Sequence, residues 1–425
     1  MLIRALEKPV STEAARGEAQ FRPSDARLLS VGVLVDLERG VRAGGHVKCW
    51  ERLAEAAARS TEPLDLTVYM QGRADAMEHL APHSRIMYLR PAFSTRTLPF
   101  LAGIPDHTDL ALIHPRLLRR LLSHDVIHTT DAYFAFTRTA RLATRLRRIG
   151  LVNSVHSAVP AYTRIYAEAI FRRWGMAGRI LNGRLGMPAR LENYMERRLA
   201  NHIAHCHASL ETDRPNVRGL RRGIDAVRFS PARRDRPRLS ATFGIGPDRI
   251  VLVFAGRLED GKDVMVAGHA ARILLDRGFP IHAVFAGDGR RRADLAELLG
   301  AHATLPGAVA QDDLAWVYAS SDMFVFPSAI EVLPNVVLEA KASGLPVMVA
   351  PGGGGRFVRE SGVDGVVVTE RAPSAWADAI AALVEGPERR AAIGRAARGD
   401  IERFHPSWDT VLAEDLLPVW RAAAP

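Results

Sequence analysis

The chain has 425 residues, of which 48% are apolar and 24% are charged, and its formal net charge is +10. The length predicts two domains of ordinary size, and the composition is that of a soluble globular protein. The positive charge indicates an anionic partner, but it does not choose among nucleic acid, a membrane and a phosphorylated ligand.

Cysteine usage and hydropathy exclude several further classes. The two cysteines, Cys49 and Cys206, stand in unrelated contexts, which argues against a disulfide framework or a zinc site. No apolar run of about 18 residues occurs, so no membrane-spanning helix is predicted. The N-terminus breaks into charge before the apolar core of a signal peptide could form, which predicts a cytoplasmic protein.

The N-terminal part has the pattern that opens a doubly wound α/β domain. Residues 1–27 carry little periodicity, which predicts a flexible arm, and Leu28–Val35 is typical of a buried strand. A loop with Gly44 and Gly45 follows, and apolar residues then recur at helical spacing from Val47 onward. The loop lacks the G-x-G-x-x-G spacing of a dinucleotide-binding fold, which argues against a dehydrogenase.

Two later strands end in polar residues that are candidates for a site. Further strands are predicted at 64–69, 85–89, 125–131 and 151–156, with a helix over 134–148. The strand ends carry His128, Asp131 and His156. Ligands bind open α/β sheets at the carboxyl ends of strands, so these side chains are expected near a ligand. A single histidine is nevertheless more often a packing residue than a catalytic one.

Residues 161–200 interleave aromatic and basic side chains. Tyr162, Tyr166, Phe171 and Trp174 alternate with several arginines. This pattern suits either an amphipathic helix packed on the sheet or a site that docks on an anionic membrane surface. Nucleic acid is disfavoured, because no recognition module accompanies the basic residues.

The second half begins with a strand that delivers two cations to one loop. The arginine- and proline-rich segment 231–239 is predicted to be a linker, and 249–254 is predicted to be a strand. Arg257 and Lys262 follow that strand, and two fixed cations of this kind can hold a diphosphate. Asp312–Asp313 suggests a metal site or a helix N-cap, and the N-cap is preferred because Asp accepts backbone N–H bonds there.

Two glutamates flank the start of a predicted helix. Met323–Phe326 is predicted to be a strand, and Pro334 can start a helix because a first-turn proline loses no hydrogen bond. Glu331 then lies before the helix and Glu339 lies inside it, about 7–8 Å beyond its start. A nucleotide sugar fits between them, with hydroxyls at both ends and a diphosphate at the free N–H groups of the helix. The alternative is two solvated carboxylates near a helix.

This stretch resembles the signature of a known family. Seven residues separate Glu331 from Glu339, and Ala-Lys-Ala-Ser-Gly-Leu-Pro-Val follows. The pattern resembles that of the retaining glycosyltransferases of family 4, also called glycosyl transferases group 1, which share the two-domain GT-B fold. The resemblance covers the chain from about residue 28 and is strongest over 250–370.

The resemblance implies roles for individual residues. It implies that Glu331 contacts the donor sugar and Glu339 the ribose, and that Arg257 and Lys262 hold the diphosphate. His156 matches a strand-end histidine that approaches the donor sugar. The other donor-binding residues that the resemblance implies are Gly44, Gly45, Asn335 and Val336.

Other segments match the family less closely. Leu220–Pro231 resembles the last strand of the first domain and its exit. Gly352–Gly355 departs from the family, which commonly has two glycines followed by a glutamate, so the identity of the donor sugar stays open.

The predicted fold class is α/β GT-B, with two Rossmann-like doubly wound parallel-sheet domains that face each other across a cleft. Residues 1–27 form the flexible arm, 28–230 the acceptor-side domain and 231–403 the donor-side domain. Residues 404–425 form a helix that crosses back to the first domain.

The predicted activity is transfer of a sugar, with retention and without metal or cofactor, from a UDP- or GDP-sugar to an acceptor hydroxyl. The expected acceptor is a cell-envelope glycan or a lipid-linked molecule, as in polysaccharide biosynthesis. Residues 161–200 are a candidate contact with the inner face of the plasma membrane, and nucleic acid is not an expected partner. The alternatives are a nucleotide-sugar epimerase or glycan phosphorylase on the same fold, and a non-catalytic nucleotide-sugar-binding protein.

Overall fold

The computed structural model describes residues 28–40, 44–98, 107–210, 219–331 and 333–425. The predicted N-terminal arm, residues 1–27, lies outside this part of the chain. Within it, no helix combines the length and the apolar character that crossing a membrane requires.

The first sheet has seven strands in the order β3-β4-β2-β1-β5-β6-β7, and its pairs are parallel except for β3 with β4. Its central strand contains a buried apolar run, with Val31, Val33, Leu34 and Val35 at 0% exposure, because helices cover both faces. The strands are β1 Leu29–Glu38, β2 Leu64–Gln71, β3 Ala76–Ala81, β4 Ser84–Leu89, β5 Val126–Thr129, β6 Gly150–Ser154 and β7 Ala208–Leu210.

The second sheet has six strands, all parallel, in the order β10-β9-β8-β11-β12-β13. The strands are β8 Ile250–Ala255, β9 Ile281–Ala286, β10 Ala303–Gly307, β11 Met323–Phe326, β12 Val347–Val349 and β13 Val366–Val367. In both sheets the strand that comes first in the chain is central, and the order reverses beside it, between β1 and β5 and between β8 and β11. Such reversals open a crevice at the carboxyl ends of the strands.

The helices cover the faces of the two sheets. Those between strands of the first sheet are α1 Gly45–Arg59, α2 Pro115–Leu121, α3 Ala135–Leu146, α4 Val159–Arg172, α5 Gly175–Asn182 and α6 Met187–Ile203. Those associated with the second sheet are α7 Arg236–Phe243, α8 Val264–Asp276, α9 Arg292–Leu299, α10 Gln311–Ser320, α11 Asn335–Ala342, α12 Pro373–Val384 and α13 Pro387–Phe404.

The C-terminal segment returns to the first sheet. It consists of α14 Trp408–Thr410, a π-helical stretch Val411–Leu416 and α15 Leu417–Ala423. Trp408, Leu416 and Trp420 belong to the apolar core that contains the strands of the first sheet. The first core is therefore built from both ends of the chain.

Several local predictions differ from the structure. Residues 220–231 form no strand, and the last strand of the first sheet is β7. The predicted linker 231–239 is not simply extended, because Asp235 caps α7 by accepting the N–H of Arg238. The strand β3 was not predicted, since its exposed residues show no apolar alternation.

Two predicted helix starts also shift. Pro334 is the N-cap of α11 and not a residue of its first turn. Ala310 is the N-cap of α10, so Asp312 and Asp313 lie in the first turn and cap nothing. They form ion pairs with Arg228 and Arg238 instead.

Candidate active site between the two sheets

One cavity of about 650 Å³ lies between the carboxyl ends of the two sheets. Its wall contains residues that follow β1, β5 and β6 of the first sheet and β8, β9 and β11 of the second. Every residue that the family resemblance assigned to the site lines this cavity: Gly44, Gly45, His156, Arg257, Lys262, Glu331, Asn335, Val336 and Glu339.

The loop after β8 brings Arg257 and Lys262 to the cavity. Gly256 has a φ of 144°, and a β-carbon on Gly287 would lie 1.8 Å from the Gly256 carbonyl oxygen. The loops after β8 and β9 can therefore meet only because glycine occupies these positions. Lys262 ends a short 3₁₀ turn, and its ammonium group forms an ion pair with the Glu331 carboxylate.

Glu331 is held from several sides. Ser328 Oγ donates to Glu331 Oε1 at 3.2 Å, beside the Lys262 ammonium. The glycine run after β12 packs on the backbone, because a β-carbon on Gly353 would lie 2.2 Å from the Glu331 carbonyl oxygen. The departure from the family at Gly352–Gly355 thus coincides with close backbone contact at Glu331.

The start of α11 faces the predicted glycine loop of the first sheet. Asn335 is the first residue of α11, and the N–H groups of a first helical turn have no intrahelical acceptor. Asn335 Nδ2 donates to the Gly45 carbonyl oxygen at 3.4 Å. An anion in the cavity would meet these N–H groups together with the cations after β8.

Glu339 lies one helical turn deeper and is 6% exposed. Burial raises the pKa of Glu339 to about 7, although nearby Arg52, Arg228 and Lys48 act in the opposite direction. Gln311 Nε2 donates to Glu339 Oε1 at 3.3 Å, and Arg52 from α1 donates to Gln311 Oε1. The carboxyl group therefore ionises near neutral pH, in a polar pocket formed by α1 beside the first sheet and α10 beside the second.

His156 lines the cavity, but its ring nitrogens are used by the protein. Arg222 donates to Nδ1 at 3.0 Å, and Nε2 lies 2.7 Å from Ser154 Oγ and 3.2 Å from the Trp50 indole nitrogen. The ring stacks on His46 with centroids 4.6 Å apart. Burial and the neighbouring His46 and Arg222 hold the pKa of His156 well below its ordinary value. A neutral, fully bonded imidazole is suited to shaping the wall and not to proton transfer.

Of the other two strand-end residues, only Asp131 reaches the cavity. His128 is fully buried and bonds to Ser154 Oγ at 2.8 Å and to the Trp420 indole nitrogen at 2.9 Å, which is a packing role. Asp131 accepts the backbone N–H of Tyr133 at 2.7 Å through Oδ1. Asp36 lies nearby, and burial followed by the charge of Asp131 raises the pKa of Asp36 to about 8.

Two residues that connect or support the site were not predicted from the sequence. Tyr162 on α4 donates its hydroxyl to the Ile330 carbonyl oxygen at 2.8 Å and lies 3.5 Å from Lys262 Nζ. Arg222 supports His156 from a segment that was expected to be a strand. Tyr162 stood in the aromatic run that the sequence singled out, but nothing local connects it with a loop far along the chain.

The acidic pair Asp312–Asp313 does not form a metal site. No group of three or more acidic, cysteine or histidine side chains with metal-binding geometry occurs in the part of the chain that the structure describes.

Comparison with known proteins agrees with this geometry. The family model for glycosyl transferases group 1 matches residues 235–400, which contain both cations and both glutamates of the site. Residues 235–400 belong to glycosyl transferases group 1. The prediction of this family is confirmed.

Curated relatives match only part of this chain. The D-inositol 3-phosphate glycosyltransferase of Saccharomonospora viridis is 36% identical over 222 residues, which are 49% of this chain and 50% of that protein. The chain thus spans about half the length of the curated relatives it matches.

Solved structures match nearly the whole chain. The sucrose-phosphate synthase of Thermosynechococcus elongatus has a TM-score of 0.70 at 18% identity, covering 93% of this chain and 98% of that one. The Anabaena protein HepE, in a structure with UDP-glucose, has a TM-score of 0.61 at 16% identity, covering 91% and 98%. At these identities the comparison establishes the fold alone, and the predicted GT-B fold is confirmed.

Proposed function

We propose that the chain is a retaining glycosyltransferase of family 4 that transfers a sugar from a nucleoside diphosphate sugar to an acceptor hydroxyl. The observation that carries the proposal is the single cavity that Arg257, Lys262, Glu331 and Glu339 share at the start of α11. Cations and helix N–H groups suit the diphosphate, and the two carboxylates suit the hydroxyls on either side of it.

The ion pair between Lys262 and Glu331 explains how one donor engages both residues. In the structure the ammonium group and the carboxylate bond to each other. A bound donor offers phosphate oxygens to Lys262 and sugar hydroxyls to Glu331. Lys262 then exchanges one ionic contact for another, and Glu331 exchanges its ionic contact for hydrogen bonds from hydroxyl groups. Arg257 and Lys262 would then stabilise the negative charge that develops on the leaving diphosphate.

Glu339 would accept the ribose hydroxyls, as the resemblance to the family implies. His156 would act as a positioning residue through its ring face and backbone, because both of its ring nitrogens already bond to protein groups. The leaving phosphate oxygen would take the proton of the acceptor hydroxyl, so the step forms one glycosidic bond and breaks one sugar–phosphate bond. Two fixed cations would do the work that a metal ion does in other transferases.

The donor and acceptor are proposed by class. UDP-glucose in the HepE structure supports a UDP-sugar as the first donor to test, and a GDP-sugar is the second. The acceptor is proposed to be a cell-envelope glycan or a lipid-linked molecule.

The test is release of nucleoside diphosphate and formation of a glycoside with a panel of donors and acceptors. We expect Arg257→Ala and Glu331→Ala each to lower turnover by on the order of a hundredfold or more, because each removes a contact to the reacting groups. Arg272→Ala is the matched control, since Arg272 pairs with Asp276 and does not line the cavity. Turnover close to wild type in both site variants would exclude the assignment.

Product analysis separates the alternatives. An epimerase changes the donor without joining it to an acceptor, and a glycan phosphorylase releases a sugar phosphate. A binding protein without catalysis would show donor affinity and no product at any enzyme concentration.

A further inference from the structure

Helix α4 carries apolar side chains that the protein itself leaves partly exposed. Tyr166, Ile170 and Trp174, the last just beyond the helix end, recur every four residues and line the cavity. Trp174 is 49% exposed and the other two are half-buried. By contrast, Trp50 and Leu53 on α1 are at 0% exposure. The apolar side of α4 is thus not covered by the sheet.

Helix α6 carries a matching row. Leu191, Met195 and Leu199 also recur every four residues, are half-buried and line the same cavity. The helices α4 and α6 pack against each other. Eight residues of helix span about 12 Å, so the two rows form an apolar channel of that length. We call it the α4–α6 groove.

The groove begins beside the proposed reaction centre. At its inner end Tyr162 bonds to the Ile330 carbonyl oxygen, next to Glu331, and lies 3.5 Å from Lys262 Nζ. The groove and the proposed donor site are parts of one cavity. A molecule in the groove would therefore present its near end to the donor sugar.

The charges of the two helices lie away from the groove. None of the described residues that line the cavity from α4 and α6 is charged. Arg164 bonds to Glu168 at 3.1 Å and to Glu192 at 3.3 Å, which joins the two helices elsewhere on their surfaces. A glycan in the groove would leave buried hydroxyls without partners, at a cost in free energy, whereas a hydrocarbon chain would not.

A polar group stands at the other wall of the same cavity. Asp131 Oδ2 is buried and has no hydrogen-bond partner among the described residues, while Oδ1 accepts two backbone N–H groups and the Thr137 hydroxyl. Such a carboxylate oxygen suits a hydroxyl donor on a ligand. The cavity thus combines a hydroxyl-binding wall with an apolar channel.

We propose that the acceptor is an amphiphile whose apolar chain lies in the α4–α6 groove and whose hydroxyl-bearing head lies between Asp131 and Glu331. This inference rests on the proposed function for the reaction itself, but binding in the groove requires no turnover. It narrows the proposed acceptor from a cell-envelope glycan or a lipid-linked molecule to a molecule with a hydrocarbon chain.

The test measures the binding of methyl, hexyl and octyl glucosides, each below its critical micelle concentration. Calorimetry and the fluorescence emission of Trp174 both report the binding. We expect each added methylene that enters the groove to tighten binding about threefold to fourfold. Trp174→Phe identifies the part of the emission change that comes from the groove. Equal affinity for the three glucosides would overturn the proposal.

A matched pair of variants locates the effect. Ile170 lines the groove, whereas Ile180 on α5 is 44% exposed and does not line the cavity. We expect Ile170→Ser to weaken octyl glucoside binding by on the order of tenfold and to leave methyl glucoside binding unchanged. Ile180→Ser should bind both glucosides with the affinity of wild type. An equal loss of octyl glucoside affinity in the two variants would overturn the proposal that the chain lies in the groove. Thermal unfolding of both variants checks that they fold.

Two further measurements separate this proposal from its neighbours. The first measurement is sedimentation with anionic vesicles. If sedimentation depends on Ile180 and not on Ile170, and if glucoside affinity does not depend on chain length, the proposal of an acceptor groove is refuted and a membrane-docking surface is supported. A UDP-induced thermal shift together with chain-length-independent glucoside binding would refute the groove and leave the proposed donor site standing. Glucoside affinity that depends on chain length, without any nucleotide binding, would support the groove and refute the proposed donor site.

Discussion

Glu339 shows how one buried carboxyl group can carry a function at the residue scale. Burial raises the pKa of Glu339 to about 7, so the group is mainly protonated below that pH and mainly ionised above it. Gln311 supplies a hydrogen bond at 3.3 Å, and the cations of Arg52 and Arg228 stand nearby. The same carboxyl group is thus neutral or charged within the physiological range.

We predict that UDP binds more tightly as pH rises through 7. Ribose hydroxyls donate more strongly to a carboxylate than to a carboxylic acid, so the affinity should rise about fivefold between pH 6 and pH 8. Calorimetric titration at a series of pH values measures this. The matched control is Glu339→Gln, which keeps only the pH dependence of the nucleotide itself. Identical pH profiles in wild type and variant would contradict the prediction.

At the scale of elements, Lys341 fixes α11 to its neighbours. It is fully buried, and its ammonium group bonds to Asp364 at 2.7 Å, to Asp400 at 2.6 Å and to the Phe357 carbonyl oxygen. These contacts join α11 to α13 and to the loop after β12, which packs against Glu331 through Gly353. The helix that starts the proposed phosphate site is therefore anchored by a buried ionic network.

We predict that Lys341→Met lowers the free energy of unfolding by about 3–5 kcal/mol, because the buried carboxylates of Asp364 and Asp400 lose the ammonium group that they share. Asp400 keeps its ion pair with Arg359. Urea denaturation measures the loss. Arg272→Ala is again the control, since it breaks a surface pair with Asp276 and should cost about 1 kcal/mol or less. A loss in Lys341→Met no larger than in the control would show that the network does not anchor the helix.

At the scale of the whole molecule, the chain end ties the second half back to the first sheet. Trp420 on α15 is at 0% exposure, and its indole N–H donates to His128 Nδ1 at 2.9 Å. Arg221 bonds to Asp415 in the preceding π-helical segment, with its backbone N–H at 2.9 Å from Oδ2. The Tyr162 hydroxyl makes a further contact between the two halves by donating to the Ile330 carbonyl oxygen at 2.8 Å.

We predict that Trp420→Ala destabilises the protein by about 3–5 kcal/mol, because it leaves a cavity in the first core and a lost hydrogen bond. Thermal and urea unfolding measure the change. Trp174→Ala should cost far less, since Trp174 is 49% exposed. Comparable losses in the two variants would contradict the place of the chain end in the first core.

Much of the second sheet and of the proposed donor site could be predicted from the sequence. The strand before Arg257, the loop position of Glu331 and the helical position of Glu339 each depend on residues that are near one another in the chain. Apolar runs, helix starts and motif spacing express local preferences, so these features can be predicted without knowledge of the tertiary structure. The assignment to glycosyl transferases group 1 rests on this local pattern, and residues 235–400 confirm it.

The tertiary structure alone decided which distant groups meet. It pairs Lys262 with Glu331, brings Tyr162 to Ile330, and uses both ring nitrogens of His156 within the protein. It also turns residues 220–231 into a support for the site where a strand was expected. These outcomes depend on how whole elements pack, because a side chain's partners are set by neighbours in space, and the spacing of residues along a chain carries no record of them.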